Sequence, residues 1–315
     1  MRNAPRSASY WMFVALVVIL CFASSATRSE AQTIGNDAVY NSNARCFSTT
    51  SCGFSGAFID ASASAQNQGT DVCATIYNIL AGTPPNPPYP SAGAVIDARG
   101  ISGSALKCAA GTTPWNNGAT TVSPPSTILL PDGTILIPKS WILPANTRLI
   151  GEGDNPSAAS GTTIQACNSN INSCSFSDGA MIQFGSSLAR GISVEKVTLD
   201  GQGQSINGIV NSNSGSQTYV DRITLFQILG VGLLLESSAS YSGPYTNITF
   251  DTGAYTGLPQ TTCAQLYNVT GGTHGIHGLT CISQTADANS AVLLDSSNNS
   301  IVRRRRVRGF AFQCG

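Results

Sequence analysis

Two aspartates and an arginine are the side chains in this sequence that are best placed for chemistry. Asp200 follows the apolar run at 197–199, and Asp221 and Arg222 precede the run that begins at Ile223. When parallel strands stack, residues at equivalent positions come within about 5 Å of each other. Paired carboxylates at that distance can act as general acid and base in glycoside cleavage, or can bind calcium. An aspartate that only caps a turn is the alternative interpretation.

Both histidines of the chain, His274 and His277, lie in the glycine-rich segment GGTHGIHG at residues 271–278. Both histidines are candidate catalytic residues together with Asp200, Asp221 and Arg222. For the histidines, this role is what the family resemblance described below implies. A solvated turn or a structural hydrogen bond is the alternative for the histidines.

Short apolar runs recur from residue 192 to residue 302 at intervals of 22 to 31 residues. One series begins at Val197, Ile223, Ile248, Leu279 and Ile301, and a second series lies between its members at 209–210, 233–235, 266–267 and 292–294. The intervening segments are rich in Gly, Asn, Ser and Asp, which turn a chain at low steric cost. Interleaved series of short strands at one period indicate a repeat architecture. We predict an all-β fold, a right-handed parallel β-helix whose turns stack on one another.

A short helix is predicted N-terminal to these repeats, at residues 71–81. Its apolar residues Val72, Ile76, Ile79 and Leu80 follow a helical stripe, with Asp71 or Thr70 available as N-cap and Gly82 as terminator. A helix here would cover the open end of the first coil, whose backbone groups would otherwise be unpaired. We expect residues 32–93 to form a lead-in and cap, and residues 94–315 to form the β-helix, with its first strand at 94–98.

Three segments resemble the pectate-lyase-like superfamily. They are ILLPDGTILI at 128–137, LPANTRLIGEG at 143–153 and ISVEKVTLDG at 192–201. The resemblance covers about residues 90 to 300. Over this range the chain is similar to the β-helices of polygalacturonase, rhamnogalacturonase and type 3 pectate lyase. It implies a parallel β-helix that acts on or binds acidic, pectin-like polysaccharide, by glycosidic hydrolysis or by β-elimination. Lyases, hydrolases and non-catalytic binding proteins share this coil.

The family motifs match this chain only in part. Thr273-His274-Gly275 stands where polygalacturonases carry Gly-His-Gly, and their Asn-Thr-Asp, Asp-Asp and Arg-Ile-Lys signatures are absent. For a lyase the resemblance implies an arginine or lysine base, here Arg222 or Lys196, beside acidic calcium ligands, here Asp200 and Asp221. Calcium is therefore the one cofactor under consideration. A non-catalytic carbohydrate-binding or adhesin-like surface protein is the alternative function.

The composition argues against a nucleic-acid partner, whereas the polysaccharide partner is what the resemblance implies. Charged residues make up 10% of the chain and the formal net charge is zero, so no global field attracts polyanions. Five arginines are concentrated at 303–306 and 308. Neither alternating face is apolar after Val302, so we expect the coil to fray or stop there and to be incomplete at its C-terminus.

Residues 1–31 are interpreted as a secretory signal peptide. Arg2 and Arg6 precede an apolar run at 11–22, and Ser29-Glu30-Ala31 places small residues where signal peptidase reads them, so cleavage is expected before Gln32. An uncleaved anchor is the alternative, although the run is shorter than the ~20 residues of a spanning helix. The predicted location is secreted, periplasmic or at the cell surface, without membrane attachment after cleavage.

The cysteines agree with export to an oxidising compartment. Ten are present, of which Cys21 lies in the signal peptide. Among the other nine, proximity in the sequence suggests the pairs Cys46/Cys52, Cys73/Cys108, Cys167/Cys174 and Cys263/Cys281. Spacing alone does not determine the connectivity.

Overall fold

The structure is a computed structural model. It describes residues 57–63, 71–83, 89–91, 93–154, 160–167, 174, 176, 179–236, 241–253, 261–269 and 275–282, and the backbone of short strands at 40–41, 46–47, 290–295, 302–303 and 313–314. The predicted signal peptide, Cys52 and His274 lie outside the described residues.

Two large sheets make up the described part of the chain. The first contains β1 to β6, β8, β9, β11, β13, β15, β17, β18 and β20, at Tyr40–Asn41, Cys46–Phe47, Ala57–Asp60, Ala94–Asp97, Ser126–Leu129, Gly133–Ile137, Thr147–Ile150, Thr162–Ala166, Ser193–Gln204, Tyr219–Ile228, Tyr245–Asp251, Ile276–His277, Thr280–Ile282 and Val302–Arg303. The second contains β7, β10, β12, β14, β16, β19 and β21, at Trp141–Leu143, Ala180–Phe184, Asn207–Asn211, Val231–Leu235, Thr262–Tyr267, Ser290–Asp295 and Gln313–Cys314.

From β10 onward the chain passes back and forth between the two sheets, with β17 and β18 both in the first, so each turn adds to both. The pairing is parallel: β11 pairs with β13, β13 with β15, β10 with β12, and β12 with β14. Parallel neighbours joined through a second sheet require the chain to wind as a coil. The predicted all-β solenoid of parallel strands is therefore confirmed.

Both predicted series of apolar runs are in register. Val197, Ile223 and Ile248 are direct partners in successive turns of the first sheet, and all three are fully buried or nearly so. Leu233 and Leu235 align with the runs before and after them in the second sheet. Stacking like side chains along the axis gives the coil a continuous apolar core, which is the main favourable contribution to its stability.

The last member of the first series was assigned to the wrong position. Val302 pairs with Ile276 in β17, whereas the spacing had aligned Ile301 with Leu279. Pairing also continues past Val302, because β20 includes Arg303 and β21 pairs in parallel with β19. The expectation that the coil frays or stops after Val302 concerns residues 304–312, which lie outside the described residues, and it stays a prediction.

The predicted N-terminal helix is present as α1, Val72–Leu80. Asp71 is its N-cap, with a carboxylate that accepts a hydrogen bond from the Ala74 backbone N–H at 2.8 Å. Its apolar residues join the same buried core as the strands, as expected of a cap. The strand at Ala94–Asp97 is also present, but it is not the first of the coil, since β3 pairs with it in parallel over four residues.

Three of the four suggested disulfides are formed. They are Cys73–Cys108, Cys167–Cys174 and Cys263–Cys281, with Cα–Cα distances of 5.1, 5.9 and 6.1 Å. Disulfides persist in oxidising compartments, so these three are compatible with an extracellular protein. Among the described residues, no helix is long and apolar enough to cross a membrane.

Candidate functional site

A column of polar side chains runs across the first sheet, one from each turn. Glu195, Asp221, Thr246 and His277 are direct partners in β11, β13, β15 and β17. We call these four residues the polar ladder. Each follows a buried residue of its strand, so the alternation of a strand places the ladder on the outer face of the sheet. Neighbouring members are separated by the strand spacing of about 4.8 Å.

A backbone corner follows the ladder in each turn. Lys196, Arg222 and Asn247 come directly after ladder residues, and all three have φ of 55°. This left-handed conformation is common for Asn and unusual for Lys or Arg. At the equivalent position of the next turn stands Gly278, with φ of 71°. The corners therefore align a lysine and an arginine beside the two carboxylates of the ladder.

Glu195 lies at the centre of a charged cluster. Its Oε1 accepts hydrogen bonds from Arg148 Nη2 at 2.8 Å, Tyr219 Oη at 2.7 Å and Ser193 Oγ at 3.0 Å. Burial by itself raises the pKa of Glu195, but the hydrogen bonds from Arg148 and Tyr219 outweigh it, so the pKa is lowered. No donor among the described residues contacts Oε2. Glu195 is therefore ionised near neutral pH, with one oxygen available to a ligand.

Asp221 has its own set of donors. Its Oδ1 accepts from Thr246 Oγ1 at 2.6 Å and Asn247 Nδ2 at 2.9 Å, and its Oδ2 accepts from Arg222 Nε at 2.9 Å. Burial raises the pKa of Asp221, but the hydrogen bonds from these three residues outweigh it and lower the pKa. Two ionised carboxylates therefore stand on consecutive turns, each held by an arginine.

Arg222 contacts Asp221 through Nε alone. Its side chain is half exposed, and its two terminal nitrogens have no partner among the described residues. These nitrogens form the edge of the guanidinium that binds carboxylates in a bidentate manner. Lys196, on the preceding turn, likewise has no ion-pair partner in the part of the chain that the structure describes. Basic groups are thus available to a ligand at two consecutive corners.

Asp200 does not belong to this cluster. It lies five residues beyond Glu195 on the other side of the corner, and its strand partners are Gln165 and Phe226. It is buried, and its carboxylate accepts hydrogen bonds from the Gln202 backbone at 3.0 Å and from the side chains of Gln165 and Gln202 at 3.0 and 2.6 Å. The expected proximity of Asp200 and Asp221 is therefore wrong, because the two occupy different columns of the stack.

Of the remaining predicted residues, two lie in the same part of the sheet as Asp221 and one lies outside the described residues. Arg222 and His277 lie along the same stretch as Asp221, and Thr246 separates Asp221 from His277 in the ladder. Two strand spacings, about 9.6 Å, lie between the backbones of Asp221 and His277. His277 is half-buried. His274 lies outside the described residues.

The carboxylate surroundings do not fit the suggested calcium site at Asp200 and Asp221. Calcium takes six to eight oxygen ligands. Here N–H and O–H donors point at the carboxylate oxygens, and a guanidinium stands beside Asp221. Among the described residues, no three side chains of the types His, Cys, Asp and Glu come together as a metal-binding group.

Glu195, Arg148 and Tyr219 are site residues that sequence reasoning missed. Glu195 stands two residues before Val197, and Asp221 stands two residues before Ile223. The position equivalent to Asp221 in the preceding repeat is therefore Glu195, and the repeat alone could have identified it. Arg148 and Tyr219 share no such signal. They meet Glu195 only because β8, β11 and β13 are adjacent in the sheet.

No protein-family model, curated protein or solved structure matches the chain.

Proposed function

We propose that this protein is an exported pectate-lyase-like β-helix that binds acidic, pectin-like polysaccharide along the polar ladder. The observation that carries the proposal is the pair of ionised carboxylates on consecutive turns, flanked by Arg148, Lys196 and Arg222. A polymer of hydroxylated sugar acids offers carboxylates to the basic groups and hydroxyl donors to Glu195 and Asp221. The three suggested pairings that form disulfides support export.

The charge balance of the site favours an anionic ligand. Arg148 and Arg222 pair with the two carboxylates, Lys196 adds a third cationic residue next to Glu195 in the chain, and Arg222 keeps both terminal nitrogens available. A sugar carboxylate would accept two parallel hydrogen bonds from that edge, which is the geometry that distinguishes arginine from lysine. The free Oε2 of Glu195 would accept from a hydroxyl of a neighbouring sugar on the adjacent turn.

Binding is favoured over glycoside hydrolysis by the ionised state of the two carboxylates. Glycoside hydrolysis requires one carboxylic acid that stays protonated to donate to the leaving group. The pKa values of Glu195 and Asp221 are both lowered, so neither is a proton donor near neutral pH. Enzymatic cleavage is kept as a second candidate because one strand spacing, about 4.8 Å, approaches the carboxylate separation of retaining enzymes.

The test is a binding assay on the protein from Gln32 onward with polygalacturonate and with its fully methyl-esterified form as the neutral match. We expect saturable binding to the acidic polymer and at least tenfold weaker binding to the ester. Arg222→Gln is expected to weaken binding by about 10- to 100-fold, the equivalent of losing 1.5–3 kcal/mol of charged hydrogen bonds. Arg99→Gln is the control at an equally exposed arginine, because Arg99 pairs with Asp97, which lies three strands from Glu195, about 14 Å along the sheet.

Three outcomes would contradict the proposal. Equal binding of both polymers would show that the sugar carboxylates are not recognised. An equal effect of Arg222→Gln and Arg99→Gln would show that the polymer does not bind specifically at the polar ladder. Reducing ends that appear during the incubation would show hydrolysis, and reducing ends together with ultraviolet absorbance from unsaturated sugars would show β-elimination. Either result would favour the enzyme over the binding protein.

A further inference from the structure

A second site lies away from the polar ladder, where a long connection covers the edge of the second sheet. β7 is the terminal strand of that sheet. The connection at 107–125 is fastened at its start by the Cys73–Cys108 disulfide and by a hydrogen bond from the Ala109 N–H to Asp71 at 3.1 Å. Its far end leads directly into β5. We call residues 107–125 the edge loop.

Two tryptophans join the edge loop to β7. Trp115 of the loop and Trp141 of β7 pack edge to face, with ring centroids 6.0 Å apart. Both are almost fully buried, and neither indole N–H has a hydrogen-bond partner among the residues that the structure describes. A buried N–H without a partner costs free energy, and such groups call for an explanation such as a bound ligand or water.

Next to this pair is a cleft of about 290 Å³ between the edge loop and β7. Its lining combines apolar and polar groups: Trp115, Val122, Ile142 and Pro144 on the one hand, Asn116 and Lys139 on the other. Ligand sites in proteins have this character, a mainly apolar lining with a few polar groups that orient the ligand. The volume is at the lower end of the range for small-molecule sites, so it suits one sugar ring and not a polymer.

Lys139 gives the cleft its charge. It is half-buried, and no carboxylate of the described residues forms an ion pair with it. An ammonium without a carboxylate partner is available to form a charged hydrogen bond with a bound anion. The nearby hydroxyls of Thr121 and Ser123 are exposed and also line the cleft.

We propose that this cleft binds a single sugar acid, with its carboxylate on Lys139 and the apolar face of its ring against Ile142 and Pro144. Its hydroxyls would be bound by Asn116 and by the hydroxyls of the edge loop. The proposal does not depend on the polar ladder, which lies on the other sheet. It makes the protein a receptor for monomeric sugar acid as well as for polymer.

The chain supplies its own probe for this site. Of its three tryptophans, Trp11 lies in the predicted signal peptide, so the protein from Gln32 onward contains only Trp115 and Trp141. All tryptophan fluorescence then arises beside the cleft. We would titrate that protein with glucuronate, with glucose as the neutral match and with acetate as the anion without a ring, and follow fluorescence and heat of binding together.

We expect saturable binding of glucuronate, and at least tenfold weaker binding of glucose and of acetate. Lys139→Gln should weaken glucuronate binding by about tenfold or more, as the loss of a charged hydrogen bond predicts, without changing the thermal midpoint. Arg222→Gln, on the other sheet, should leave the glucuronate affinity unchanged.

The proposal is overturned if neither fluorescence nor heat shows saturable binding of glucuronate, or if Lys139→Gln binds it as tightly as the parent. Glucose binding as tightly as glucuronate would overturn the assignment to an anion. A loss of glucuronate affinity in Arg222→Gln would show that the monomer binds at the polar ladder. That result would contradict the proposed cleft site and would leave the proposed polymer binding intact.

Discussion

Removing the charge of Glu195 tests whether the cluster around it is held together as described. In Glu195→Gln the side chain keeps its shape, but an amide replaces the carboxylate that accepts from Arg148, Tyr219 and Ser193. Hydrogen bonds to an ionised acceptor are about twice as strong as neutral ones. The Glu195 side chain is 12% exposed, so solvent compensates only part of the loss.

We expect Glu195→Gln to reduce the free energy of unfolding by about 1–3 kcal/mol at pH 7, the range for a hydrogen-bonded charged group. Urea denaturation followed by circular dichroism measures this as a lower midpoint at unchanged slope. Glu152→Gln is the matched control, because Glu152 is 43% exposed and has one ion pair, to Arg99 at 3.6 Å. Exposed pairs of this kind contribute about 0–1 kcal/mol.

The pH dependence of this difference separates charge from packing. The pKa of Glu195 is lowered on folding, so its ionised form contributes stability above the unfolded pKa of about 4.3. That contribution is lost as the pH falls through the folded pKa, and Gln carries no charge to lose. The difference between parent and variant should therefore shrink below about pH 4. An equal difference at pH 7 and pH 3, or an equal effect of Glu152→Gln, would refute the charged cluster.

Two further predictions concern the buried structure. Tyr245→Phe should lower the free energy of unfolding by about 1–3 kcal/mol, because the buried Tyr245 hydroxyl donates to Ser242 at 2.8 Å and accepts from Asn211 at 2.9 Å. Tyr267→Phe, at an exposed position, should be nearly neutral. Urea denaturation measures both variants. Gly232→Ala should cost about 1–3 kcal/mol, because the added Cβ would meet the Phe250 ring and a backbone oxygen. Gly153→Ala, whose nearest neighbour would be 3.5 Å away, is its control; equal thermal midpoints for both alanine variants would contradict the tight packing.

The coil and its period could be predicted from the sequence because they depend on local patterns. The positions of Val197, Ile223 and Ile248 mark equivalent points of successive turns, and the structure pairs them directly. The cap helix was equally local, since Asp71 and an apolar stripe suffice to place it. Where the pattern weakened, at Ile301, the predicted register was wrong by four residues.

The outward column to which each residue belongs was decided by the tertiary structure. Asp200 and Asp221 both stand at ends of apolar runs, but a corner at Lys196 separates their columns, and such a corner leaves no mark in the sequence when a lysine occupies it. Equivalent positions of these two turns are 26 residues apart, which is the separation of Glu195 and Asp221. Asp200 and Asp221 are only 21 residues apart, so they are not strand partners. Arg148 and Tyr219 complete the cluster only through strand adjacency, and the edge loop meets Trp141 only when the sheet edge has formed. The amino-acid sequence by itself determined that the chain coils, because the repeat of buried side chains is local; the contacts between turns determined which polar groups meet.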